Sequence, residues 1–161
     1  MNLKTISPDA VPRALELAER YRLLNEPEQA ESICRDALAA NPGDQMATRT
    51  LLLALSDQFH HNPNSTVQHA QELAQSLTDK YERHYYTGVV LERWARTKLQ
   101  QKQPTSMVVD WLHRAMDQFD QAEAERPAQN DAAILRWNTC ARLLQKLPQT
   151  EQIAVGADIF D

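Results

Sequence analysis

Apolar residues in this chain recur at steps of three and four, and nowhere alternate with polar residues over the length of a strand. A three-to-four period is what a helix with one buried stripe requires, so the implied fold class is all-α. Val11, Leu15 and Ala18, with Leu17, Tyr21 and Leu24 beside them, form the first stripe. Ala47, Leu51, Leu52, Leu55 and Phe59 form another. Glycine is scarce, three residues in 161, and most of the eight prolines fall where helices should start or stop.

Read with these stops, the sequence predicts seven helices, at about 7–24, 27–40, 44–59, 65–79, 81–101, 105–125 and 131–146. Pro12 is awkward inside the first, because a proline beyond the opening turn removes a backbone hydrogen bond, so regular helix is expected only from there. Ser65 with Gln68 has capping-box spacing and is taken as the start of the fourth helix. Short connections imply antiparallel neighbours within one domain, 1–147. Residues 148–161 have no clean period and read as a tail.

Charge narrows the function classes. The net charge is -5, whereas a nucleic-acid footprint is basic, so no DNA or RNA partner is expected. The N-terminus lacks the apolar run of a secretory signal, and no stretch approaches the ~20 apolar residues of a membrane span. A soluble, cytoplasmic protein is expected. Cys34 and Cys140 sit among apolar neighbours on helix faces, which favours reduced core thiols over a disulfide.

Self-similarity is visible at one interval. Leu17-Ala18-x2-Tyr21 is followed by Ala30, Cys34, Ala37 and Pro42, with no gap in the spacing. Thr87-Gly88-x2-Leu91 is followed by Ala115-x3-Phe119-x2-Ala122 and Pro127, but about 15 residues late. Trp137-x2-Cys140-Ala141-x2-Leu144 repeats the first half alone. Leu51-Leu52-x2-Leu55, with Ala70, Ala74 and Leu77, is a degenerate copy. Small residues at these places let two helices approach, and large ones fill the space between units. The pattern resembles the tetratricopeptide repeat, a helix–turn–helix unit of about 34 residues, over residues 11–147. The resemblance implies a helix–turn–helix solenoid of about three units plus a capping helix, the seventh.

The resemblance also implies a partner surface, the groove lined by the first helices of successive units. The residues it assigns there are Leu15, Glu19, Arg22 and Leu23; Met46, Arg49, Leu53 and Ser56; Tyr85, Val89, Glu92 and Arg93; and Asn138, Arg142 and Lys146. Arginine forks suit carboxylates and phosphates, so the expected ligand is an acidic segment of another protein carrying apolar anchors. The alternative is that these arginines are ordinary solvated charges pairing with Glu19 and Glu92. Arrays of this family that clamp a chaperone's C-terminal carboxylate use Lys, Asn and Arg at set places. This chain has Leu15, Glu19, Thr50, Glu82 and Tyr86 there, so no chaperone tail is expected. Tyr81, Tyr85, Tyr86 and Trp94 make the fifth helix the most aromatic stretch, either through burial between units or as binding anchors.

Rival chemistry is thinly supported. Asp110-x-x-His113 occurs once, whereas a di-metal bundle needs two such motifs and two further Glu, so no metal is expected. His60, His61, His69 and His84 read as solvated or capping residues. Gly43, Gly88 and Gly156 are isolated, so there is no phosphate loop and no cofactor is implied. No catalytic residue is assigned. Two function classes remain: an adaptor that binds a partner while itself monomeric, and a helical accessory subunit that assembles with itself or with a larger complex.

Overall fold

The computed structural model describes residues 1–149. They form a 3-10 turn at Pro8–Ala10 and seven α-helices, with no strand among them. The helices are α1 (Val11–Leu23), α2 (Pro27–Ala40), α3 (Gln45–Ser56), α4 (Val67–Gln75), α5 (Lys80–Gln100), α6 (Thr105–Ala124) and α7 (Ala132–Lys146). The tail expected at 148–161 lies outside the described residues from 150 onward.

Local chemistry explains the boundaries. Pro12 falls in the first turn of α1, where its missing N–H costs nothing, so the helix begins at Val11 behind the 3-10 turn. Asp44, Thr66 and Asp79 cap α3, α4 and α5, each side-chain oxygen accepting from the backbone N–H three residues on. The cap of α4 is thus Thr66, one residue after the predicted Ser65. Ser65 is buried instead, and its hydroxyl donates to the Leu55 carbonyl at 2.6 Å. Bonding this carbonyl in the last turn of α3 takes its hydroxyl out of the capping role. Three of the reversals each carry a residue in the left-handed region: Asn25, Lys102 and Gln129.

Each helix packs on the next, and in addition α1 packs on α3, α3 on α5 and α5 on α7. The core is accordingly three clusters in series. The first joins α1, α2 and α3 through Leu15, Ala18, Ala30, Cys34, Leu51 and Leu55. The second joins α3, α4 and α5 through Leu52, Phe59, Ala70, Ala74 and Val90. The third joins α5, α6 and α7 through Leu91, Leu112, Ala115, Phe119, Ala133 and Cys140. Helices α3 and α5 each bury two faces, one into each adjoining cluster. Helices α5 and α6 have 21 and 20 residues, and their length takes up the long interval between Gly88 and Ala115. Among the described residues no helix is long and apolar enough to cross a membrane.

Both cysteines are free and fully buried. Burial pushes each thiol up to about 12, so both stay protonated and unreactive through the neutral range. A maleimide probe at pH 8 is therefore expected to label neither in the native chain and both after unfolding in guanidinium. Stoichiometric native labelling, read by mass spectrometry, would contradict that burial.

Candidate interaction surface

The odd-numbered helices run in the same direction, and arginine–carboxylate pairs join each to the next. At the end of α1, Arg22 donates from Nε to Asp57, just past α3, at 2.8 Å. Arg93 of α5 donates to the same carboxylate at 2.6 Å and to Ser56 Oγ at 2.7 Å. Near the starts of α3 and α5, Arg49 Nη1 donates to both oxygens of Glu82, at 2.9 and 3.0 Å. Between α5 and α7, Glu92 accepts from Arg96 Nε and Arg136 Nη1, each at 3.1 Å.

Burial differs sharply along this network. Glu92 has only 3% of its side chain exposed, while its two arginines are half-buried. Burial alone pushes Arg136 down, but the Glu92 charge and the Tyr85 hydroxyl outweigh it, and its pKa is raised. Arg93 goes the other way. Burial lowers its pKa, Asp57 partly offsets that, and repulsion from Arg22 and Arg136 adds to the lowering. The network holds five guanidiniums against three carboxylates, an excess of positive charge on a chain whose net charge is -5.

The residues assigned to the groove divide into three groups. Leu15 and Val89 are each 1% exposed and belong to the core, so neither lines a surface. Leu15 turned inward because the buried stripe of α1 is Val11, Leu15 and Ala18, at i, i+4 and i+7. Leu17, given a core place by the repeat pattern, is 42% exposed because no described element covers its side of α1. Val89 lies in the cluster shared by α5, α6 and α7. Arg22, Arg49, Arg93, Leu53 and Tyr85 are brought to one half-buried strip, with Ser56 and Glu92 buried beneath it and Tyr85 stacked on Tyr81 with centroids 5.7 Å apart. Glu19, Leu23, Met46, Arg142 and Lys146 are exposed, and Asn138 is half-buried.

Arg22, Arg49 and Arg93 do pair internally, but with Asp57 and Glu82 rather than with Glu19 and Glu92 as the alternative had it, and Arg142 is exposed. Glu19 is exposed, and Glu92 holds Arg96 and Arg136. Sequence reading missed Asp57, Arg96 and Arg136. A signal for Asp57 existed, since Arg22 precedes it by 35 residues and Arg93 follows it by 36, close to one unit length. A recess of about 270 Å³ lies between α5 and α7, lined by Tyr85, Glu92, Ala132, Leu135, Arg136 and Thr139.

The chain matches no family model, no curated protein and no solved structure. Function must therefore be argued from the surface itself. Among the described residues, no group of three or more His, Cys, Asp or Glu is placed to hold a metal. His61 bonds Glu28 and His60, and His84 bonds Gln118 at 3.0 Å.

Proposed function

We propose that this protein is an interaction module of tetratricopeptide type, whose odd-numbered helices present one face to an acidic segment of a partner protein. The carrying observation is the excess of guanidinium on that face, beside exposed Leu23, Met46 and Leu135, in a chain that is acidic as a whole. Charge of that sign steers an acidic ligand, and the apolar side chains give it places to anchor. The spacing of contacts supports the repeat reading. Glu28–His61, Gln45–Thr78, Arg49–Glu82 and Arg22–Asp57 join residues 33, 33, 33 and 35 apart. Stacked units of about 34 residues bring residue i beside i+34 in this way.

The arginines are poor test positions, because removing any of them also takes an ion pair from a carboxylate within the fold. Met46 and Leu135 are exposed, and changing them leaves the network intact. Capture from native lysate with the wild-type chain and with Met46→Glu/Leu135→Glu is expected to lose a protein from the variant. The same protein should also leave the wild type as salt rises from about 0.05 to 0.5 M, where screening shortens to a few ångströms. Identical recoveries from both baits would mean that this face is not where partners bind.

A further inference from the structure

The outward side of α1 takes no part in the network between the odd-numbered helices. Arg13, Glu16 and Arg20 follow one another at i, i+3 and i+7, which places them along one side of the helix, and Asp9 precedes them by four residues in the 3-10 turn that leads into it. That side faces away from the core stripe of Val11, Leu15 and Ala18, and all four residues are exposed. Arg13–Glu16 and Glu16–Arg20 have the spacing for pairs within the helix. Yet none of the four makes an ion pair among the described residues, whose ten bridges all lie elsewhere. Beside the stripe are Leu17, 42% exposed, and Leu24, 62% exposed. Arg13, Glu16, Leu17 and Arg20 border a recess of about 320 Å³.

The order of the charges is acid, base, acid, base. Turned end for end, it presents base, acid, base, acid. An identical stripe laid antiparallel on it therefore meets opposite charge at every step. Asp9 falls opposite Arg20 of the second copy and Arg13 opposite its Glu16, with the reciprocal pairs completing a two-fold arrangement. We infer that α1 is a homodimer interface whose occupant is α1 of a second copy, set antiparallel about an axis between residues 14 and 15. Self-complementarity under a two-fold is what an isologous interface demands. A stripe of like charges does not meet that demand. The contact of one short helix is small beside the ~800 Å² per partner of a stable interface, so association is expected in the micromolar range and to weaken with salt. This inference stands apart from the partner-binding reading, because it uses the outward side of α1 and none of the network between odd-numbered helices.

The test is sedimentation equilibrium of the full chain at low salt, up to about 100 μM, a concentration that populates a micromolar dimer. A reversible monomer–dimer equilibrium is expected. Arg13→Glu alone places Glu against Glu16 twice, and Glu16→Arg alone places Arg against Arg13 twice. Each is expected to weaken self-association at least tenfold, with the helical circular dichroism unchanged since both positions are exposed. An equimolar mixture of the two single variants should form a heterodimer, because every pair across the interface is then again of opposite sign. The double variant Arg13→Glu/Glu16→Arg should dimerise with itself for the same reason. A wild-type chain that remains monomeric overturns the inference. So do single variants that dimerise as well as the wild type, and so does a mixture that stays monomeric.

Discussion

Replacing Arg136 with alanine is expected to lower the unfolding free energy by about 3 kcal/mol, and replacing Glu92 with leucine in that background to restore most of the loss. The asymmetry follows from where the charges sit. Glu92 is the buried member, 3% exposed, whereas Arg96 and Arg136 keep about a third or more of their side chains in water. Removing Arg136 leaves a carboxylate inside the α5–α7 contact with one guanidinium. Removing Glu92 instead leaves two arginines that can turn outward and hydrate. Leucine fills much of the space with apolar surface suited to its neighbours. Urea unfolding followed by circular dichroism at 222 nm measures all three variants. If Glu92→Leu alone proves as damaging as Arg136→Ala, the carboxylate does more than satisfy its two arginines. For a chain of this size, 3 kcal/mol corresponds to a fall in Tm of about 6–12 °C, so a thermal melt gives an independent reading.

That buried Glu92 was placed in a groove by sequence reading, and the error is instructive. Helix number, order and most boundaries were legible because each rests on local signals. These are a three-to-four apolar period, prolines at first turns, and Asp44 at the head of α3. Rotation of a helix about its own axis rests on what its neighbours cover, and that is not local. In α1 the residues at i, i+4 and i+7 from Val11 are as apolar as those around Leu17. Only the position of α2 and α3 decides that Leu15 is buried and Leu17 is left in water. The arginines were found, but their partners were not. Asp57 lies just beyond the last turn of α3, outside any amphipathic stripe, and it meets Arg22 and Arg93 only through the packing of α3 between α1 and α5. Ser65 illustrates the same limit at short range. It has the sequence of a cap, but a carbonyl ten residues earlier in the chain claimed its hydroxyl. Where the chain pairs residues about one unit apart, that interval was itself readable, and charge of opposite sign at about 34 residues is the signal that would have located Asp57 and Glu82.

The second large effect is expected at the contact of α5 with α6. Phe119→Ala should cost about 4 kcal/mol, Gly88→Ala about 2 kcal/mol, and the double variant clearly less than the sum. Phe119 is fully buried at the centre of the cluster that α5, α6 and α7 share. Its ring lies directly on Gly88, where a Cβ would come within 2.5 and 2.7 Å of two ring carbons. That separation is below any ordinary carbon–carbon contact, so a methyl group there forces the ring, and with it α6, away from α5. Gly88 is helical, with no need of a left-handed backbone. In isolation alanine would favour the helix by about 1 kcal/mol, and the clash must exceed that gain for the net effect to be a loss. Removing the ring with Phe119→Ala opens a cavity that the added methyl partly fills, which is why the two changes should compensate rather than add. Urea midpoints for the four members of the cycle give the coupling energy directly. Simple additivity would mean that α5 and α6 relax apart independently of this contact. A coupling of 1 kcal/mol or more would assign the close approach of the two longest helices to the missing side chain at residue 88.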